Sequence, residues 1–264
     1  MKKILKTILT ICLTVVLFAC GSDNKEKLVI GVSPIPHKEI VELVREDLEK
    51  EGIKLEVVVF NDYVQPNLAL NDKSIDANFF QHIPYMNSFG KENNIDMISA
   101  GSIHLEPLKI YSEKIKSIED LKNETSIEVL IPNDPTNRGR SLLLLQDAGL
   151  LKLKDSSKLD SDVEDIETYN FELNITTLNS EQIGPRLEEA TIAVINTNNA
   201  LASKIGPEKA IFVEGKDSPY ANIVTVLREN ENNEKIKKLI ELLQSEKVKK
   251  YINEKYNGEV VPAF

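Results

Sequence analysis

The sequence predicts an α/β protein of two lobes that face each other across a cleft. Short apolar runs alternate with stretches of helical apolar spacing along nearly the whole chain, the pattern of an α/β architecture. The 264 residues suffice for two moderate domains with real cores. The first strand–helix–strand unit has the usual crossover length, so its two strands should run parallel.

Lys27–Val32 (KLVIGV) reads as an apolar strand ended by the turn Ser33-Pro34-Ile35-Pro36. Lys38–Lys50 sets Ile40, Leu43, Val44 and Leu48 on one helical face, and Gly52 stops it. Lys54–Phe60 (KLEVVVF) is the next strand. Further strands are expected at Asp76–Phe79, Asp96–Ala100, Ile103–Tyr111, Ile127–Ile131, Phe171–Thr177, Thr191–Ile195, Ala210–Val213 and Ile223–Arg228. Helices fill most of the gaps, with one long helix from Asn233 through the last turns. Lys152–Glu167 is acidic, serine-rich and poor in apolar residues, and reads as a surface excursion. The chain should pass between lobes near Leu108–Ser112 and return near Ile223–Arg228. Residues 28–110 and 224–264 then form the first lobe and 111–223 the second. Such a cleft is where ligand sites concentrate.

The N-terminus says where the protein works. Lys2, Lys3 and Lys6 precede a mostly apolar run from Ile8 to Ala19, the layout of a secretory signal over residues 1–19. The run is shorter than the roughly 20 residues a membrane-spanning helix needs. Leu17-Phe18-Ala19-Cys20 looks like a bacterial lipobox, with Cys20 as the lipid attachment point, whereas bulky Ile11 makes Cys12 a poorer candidate. Residues 20–27 read as a lipidated tether. Lipid on Cys20 leaves no cysteine for a disulfide. Loss of the three signal lysines takes the net charge from −10 to −13, a surface that repels nucleic acid and anionic headgroups. Membrane contact is then the lipid alone.

Motifs of catalysis are missing. His37, His82 and His104 are scattered, and there is no HExxH, GxSxG, GxGxxG or phosphate-binding loop. No catalytic residue, metal ligand or cofactor is assigned. Two segments are richer. In Phe60–Tyr85 a short strand ends in Asn78-Phe79-Phe80-Gln81-His82, and Ile83-Pro84-Tyr85 opens a helix. Neighbours on a strand face opposite ways, so one of Phe79 and Phe80 belongs to the core. The other, with Tyr63, His82 and Tyr85, is a candidate wall for an apolar slot. In Ile131–Gly149 a buried strand ends in Pro132-Asn133-Asp134, and a leucine-rich helix follows. Arg138 and Arg140 stand in its first turn, where a cation is unfavourable unless an anion meets it. They are either a fork for a ligand carboxylate or a pair satisfied by solvent or by the protein's own acidic residues.

The strings PHKEI, DYVQPNLAL, DANFFQHIPY, IPNDPTN-x-GRSLLLLQDAGLLKL, AVINTN, DSPYANI and VVPAF follow one another from about Leu28 to the C-terminus. In order and spacing they resemble the MetQ/NlpA family of lipid-anchored substrate-binding proteins of methionine ABC importers. The resemblance implies a periplasmic-binding-protein fold, a Venus flytrap closing on free methionine. It also implies a non-enzymatic, monomeric receptor, with the permease and ATPase subunits of an importer as partners. Carried over by position, Arg140 would hold the ligand carboxylate, and Asn196 and Asn222 would bond the amino acid head group. Tyr63, Phe80, His82 and Tyr85 would surround the thioether. Arg138 occupies the variable position of its string and is not assigned to the ligand. Asn199 stands where many relatives carry an aromatic residue, which would widen the pocket or admit water. A methionine-containing dipeptide or another amino acid remains open as ligand. A lipid-anchored enzyme and an adhesin are rivals of another class.

Overall fold

The computed structural model describes residues 26–215 and 219–264. The expected signal, Cys20 and most of the tether lie outside the described residues. Glu26 and Lys27, expected in the tether, already belong to the first strand.

The fold has two lobes, each built on a sheet with apolar clusters on both faces. The first half of the chain gives β1 (Glu26–Val32), α1 (His37–Leu43), α2 (Arg45–Lys50), β2 (Ile53–Val59) and α3 (Gln65–Asn71). It continues with β3 (Ala77–His82), α4 (Ile83–Asn93), β4 (Met97–Leu105) and β5 (Lys109–Tyr111). Then come β6 (Ile127–Pro132), α5 (Pro135–Asp147), β7 (Leu151–Leu153), β8 (Ile166–Tyr169), β9 (Leu173–Leu178) and α6 (Ser180–Ile183). The last part holds β10 (Ile192–Ile195), α7 (Thr197–Ala202), β11 (Ala210–Val213), β12 (Ala221–Leu227), α8 (Glu234–Leu243), α9 (Glu246–Tyr256) and β13 (Val261–Pro262).

The first sheet runs β13-β4-β12-β3-β1-β2, and the second runs β11-β5-β10-β6-β9. β1 and β2 are parallel in register from Glu26↔Ile53 to Val32↔Val59, as the crossover length requires. Strand periodicity divides the first core: Leu28, Ile30 and Val32 enter one cluster, while Val29 packs on the opposite face. Gly52 and Gly149 follow α2 and α5 at φ +79° and +78°, a conformation that costs glycine nothing and ends both helices.

Several expected elements are divided. Ile103–Tyr111 is not one strand, because Pro107 has no N–H for a ladder; β4 ends at Leu105 and β5 begins at Lys109. The helix expected over Lys38–Lys50 is interrupted at Val44, and nothing in the sequence explains the break. The long C-terminal helix is two, with Ser245 in extended conformation as the N-cap of α9. β5 lies wholly in the second sheet and β12 wholly in the first, so the expected boundaries at 110/111 and 223/224 fall inside strands. The chain crosses between β4 and β5 and returns between β11 and β12. These two crossings lie side by side, the Glu214 amide donating to the Leu108 carbonyl at 2.9 Å.

The Lys152–Glu167 segment is mostly exposed, as expected of a surface excursion, but it is anchored. Its ends pair as the hairpin β7–β8, and Ser161 and Leu153 are buried. Its middle docks on α5 at Gly139, where a Cβ would collide with the Leu159 carbonyl and lie 2.8 Å from the Ser161 amide. Those are backbone atoms and cannot swing aside. Gly139→Ala should therefore destabilise the protein by about 1–3 kcal/mol, as overpacking does. Calorimetric melting should show a lower midpoint than Gly149→Ala measured beside it can explain by backbone strain alone.

Candidate functional site

The lobes meet around a pocket. Tyr63, Phe80, His82, Tyr85, Arg140, Asn196 and Asn222, the residues singled out in the sequence, all line it. Glu106, Asn137, Asn198, Gln81 and Thr197 line it too, and sequence reasoning missed them.

The apolar wall comes from the first lobe. All six residues of β3 are buried, and strand alternation sends Phe79 one way and Phe80 the other. Phe79 enters the core against His37, with ring centroids 4.7 Å apart. Phe80 turns to the pocket, 5.9 Å from both Tyr63 and Tyr85. Tyr85 donates its hydroxyl to the Tyr63 carbonyl at 2.8 Å, which ties the Phe60–Tyr63 turn to α4. His82 is the N-cap of α4: its Nδ1 accepts from the Tyr85 amide at 3.2 Å, leaving the proton on Nε2 toward Asn137 Oδ1. Burial, reinforced by the Arg140 charge, lowers the His82 pKa to about 3, so this wall residue is neutral.

The charged end is assembled at the crossings. α5 starts at N-cap Asp134, whose carboxylate accepts from the Asn137 amide at 2.9 Å, with Pro135 in the first turn. Arg140 follows, 3 % exposed. Its Nε and Nη2 donate to the two oxygens of Glu214 at 2.8 and 2.5 Å, and Nη2 also donates to the Glu106 carbonyl at 2.9 Å. The guanidinium lies 4.3 Å from the Tyr220 ring centroid. Arg138 instead pairs with Asp162 at 2.9 Å and does not line the pocket. Both arginines thus meet acidic residues of the protein, but only Arg140 lines the pocket.

The amides are fixed by their neighbours. Asn196 donates Nδ2 to Asn137 Oδ1 at 2.9 Å, while its own Oδ1 is buried and accepts no hydrogen bond from the described residues. Asn222 sits beside irregularities in the pairing of β12 with both β3 and β4, a common device for re-aiming a side chain next to a site. Its Oδ1 accepts from His37 Nε2 at 3.0 Å, which leaves the Nδ2 hydrogens for the cleft. Asn199, expected to widen the pocket, instead donates to the Tyr63 hydroxyl at 3.0 Å, and that hydroxyl donates to Asn198 Oδ1 at 2.7 Å. Beneath the floor Gln81, Asn67, Asn78 and Thr225 form a closed hydrogen-bond network.

Glu106, 5 % exposed, lies between the lobes on the first crossing. His104 Nε2 donates to its Oε1 at 2.7 Å and the Asn198 amide to its Oε2 at 2.8 Å. Burial pushes its carboxyl up, but the hydrogen bond from His104, the adjacent imidazoles and the Asn198 amide outweigh that and hold the pKa below the usual value. His37, His104 and Glu106 offer ligand atoms within 4.8 Å of one another. The 2.7 Å His104–Glu106 contact is a hydrogen bond, and His37 Nε2 is directed at Asn222; the cluster is built as a proton-sharing network. A lone carboxylate inside the apolar run GSIHLEPLKIY was the signal that marks Glu106.

With this geometry in place, comparison with known proteins becomes informative. The model of the NlpA lipoprotein family matches residues 28–264. The chain belongs to the NlpA lipoprotein family. Among its relatives, the D-methionine-binding lipoprotein MetQ of Salmonella typhi is 41 % identical over 254 residues, spanning 94 % of this chain and 93 % of the relative. The methionine-binding lipoprotein MetQ of Bacillus subtilis (strain 168) is 38 % identical over 279 residues, 99 % of each. A nutrient binding protein from Burkholderia cenocepacia, solved bound to methionine, superposes with TM-score 0.86 at 38 % identity, covering 90 % of this chain and all of that one. In this NlpA lipoprotein, no described helix is long and apolar enough to cross a membrane.

The buried imidazoles set a pH dependence. Burial lowers His37 from 6.5 to about 4 and His82 to about 3. Below pH 6.5 the unfolded chain takes up protons at both positions that the folded chain refuses, so stability falls as pH drops toward 4. Glu106, whose folded pKa is depressed, loses its contribution in the same direction at more acid pH. Between pH 7 and 5 the loss should be about 2 kcal/mol for each histidine. Urea midpoints should fall accordingly, and His82→Gln should remove part of the drop; a midpoint unchanged between pH 7 and 5 contradicts this.

Proposed function

We propose that the protein is a lipid-anchored receptor that captures free methionine in the cleft and hands it to an ABC importer, acting by binding alone. The observation that carries this reading is the division of one pocket into a cationic end and an aromatic end. Arg140 and the Asn222 amide supply donors for a carboxylate. Phe80, Tyr63 and Tyr85 line the opposite end, where a thioether gains roughly 0.3–1.5 kcal/mol per aromatic contact. Support from outside the chain is consistent. Relatives of matching length are methionine-binding lipoproteins, and a substrate-binding protein of an ABC transporter from Coxiella burnetii superposes with TM-score 0.84 at 32 % identity.

In the proposed cycle the two lobes part at the two crossings, between β4 and β5 and between β11 and β12, and close on the ligand. Closure brings the Tyr63 hydroxyl to Asn198 and Asn199 and His82 to Asn137. The closed form then docks as a monomer on the permease subunits, with the ATPase on another chain. Cys20 carries the lipid that keeps the receptor on the outer face of the membrane.

Calorimetric titration of L-methionine, D-methionine and methionine dipeptides into the refolded domain tests the reading. L-Methionine should bind one-to-one and displace the dipeptides. Arg140→Lys keeps a cation for Glu214 but loses the planar fork, and should weaken binding about 10- to 100-fold. Absence of binding heat at several temperatures, from a folded protein, would sink the methionine assignment. For the anchor, Cys20→Ala should move the protein from the membrane fraction to the soluble one in cell fractionation.

A further inference from the structure

An α-amino acid brings an ammonium as well as a carboxylate, and the cleft must supply acceptors for it. The asparagine amides do this only in part. Asn222 Oδ1 is engaged by His37 Nε2, so Asn222 faces the cleft as a donor. Asn137 Oδ1 already receives Asn196 Nδ2, with His82 Nε2 at 3.4 Å. Two acceptors on the pocket wall have capacity left. One is Asn196 Oδ1, buried and unpartnered among the described residues. The other is Glu106, whose carboxylate has about four acceptor positions and uses two, for His104 Nε2 and the Asn198 amide.

We propose that Glu106 is the ammonium acceptor of this cleft and the residue that restricts its ligands to those carrying a free α-amino group. The inference rests on the amino-acid receptor reading above and deepens it. The neighbours of Glu106 favour its charged form, so it meets a cation as an anion. Its backbone carbonyl accepts from Arg140 Nη2 at 2.9 Å, so one residue ties the cationic end of the site to the anionic one. The two charges are therefore positioned by one residue, the guanidinium through its backbone and the carboxylate on its side chain, which suits a ligand that carries both charges on one carbon.

Charge balance gives the selectivity. Arg140 is already matched by Glu214, and Glu106 adds a second carboxylate, while His37 and His82 are held neutral by burial. A ligand with only a carboxylate would bring a further anion into a pocket whose guanidinium is already matched by Glu214 and whose wall already carries the Glu106 carboxylate. A zwitterion brings its own cation to Glu106 and avoids this. The same cleft should therefore reject a 2-oxo or desamino analogue of the same length, although the aromatic wall would accept its side chain.

The test is a cycle of two proteins against two ligands by calorimetry: the unaltered chain and Glu106→Gln, each with L-methionine and with 4-(methylthio)butanoate, which lacks only the amino group. The unaltered chain should bind methionine about 30-fold or more tighter than the analogue, the range for losing one partner of a buried charge pair. Glu106→Gln should erase most of that difference, by weakening methionine and not the analogue. Glu106→Asp, which keeps the charge but withdraws it by one methylene, serves as second variant and should lose methionine selectively as well. Equal weakening of both ligands overturns the role of Glu106 while leaving the receptor reading intact. Failure of the unaltered chain to bind methionine overturns the receptor reading and this inference with it. A crystal structure of the unaltered protein grown with L-methionine needs no variant: the ligand nitrogen within hydrogen-bond distance of a Glu106 oxygen supports the assignment, and a nitrogen held by neutral groups alone overturns it.

Discussion

Arg140 is bonded to both segments that join the lobes, and the arrangement of the site depends on that anchorage. Glu214, on the returning segment, takes two of its N–H groups, and the Glu106 carbonyl, on the outgoing segment, takes another. Glu214 also accepts from the Leu108 amide at 3.1 Å, so one carboxylate staples the two crossings and the guanidinium together. Lys109 beside it pairs with Glu259 near the C-terminus, adding a second contact between the crossing and the end of the chain. A buried pair of this kind contributes little net stability against an apolar replacement, but losing one partner costs about 3–5 kcal/mol because the other is left unpaired. Its value here is positional. It fixes the guanidinium relative to both crossings.

The sequence made the architecture legible because periodicity and turn chemistry are local. Alternation in KLVIGV and KLEVVVF, and glycines at 52 and 149, act within a few residues, and the structure follows them. Phe79 and Phe80 show how far such reasoning reaches: alternation says that one is core, and only the neighbouring helix decides that Phe80 is the one facing the cleft. The breaks at Pro107 and Ser245 carried their own signals, no N–H in a strand and a capping residue inside a helix, but the apolar pattern on either side masked them. The break at Val44 carried none.

Site chemistry was legible by residue type and less so by role. Arg140, expected in the first turn of α5, is the sixth residue of that helix and lies in its second turn, and the anion it meets is Glu214, some 70 residues on, which no local pattern connects to it. Asparagine is the harder case, because its amide is donor and acceptor at once and the environment chooses which face is offered. His37 consumes the oxygen of Asn222, and Asn137 consumes the nitrogen of Asn196, so two similar side chains present opposite ends to the same pocket. Asn199 follows the same logic, since its amide gives Tyr63 a hydrogen-bond donor across the cleft.

Those cross-cleft contacts set what a ligand must contribute. Tyr63 with Asn198 and Asn199, and His82 with Asn137, are neutral hydrogen bonds at 2.7, 3.0 and 3.4 Å. Each is worth about 0.5–1.5 kcal/mol net, because the open lobes would satisfy the same groups with water. Together they fall short of the ~5.5 kcal/mol that carries a two-state equilibrium from mostly open to mostly closed. The balance has to come from a molecule that touches both lobes, and its contribution is its difference in affinity for the two forms. Phe80 and Tyr85 stand on the first lobe, Arg140 and Asn196 on the second, and Glu106 on the segment between them. In the proposed cycle a ligand with an apolar tail and a zwitterionic head makes its full set of contacts only when all three are brought together, so that closure would report occupancy by a molecule of that shape and charge.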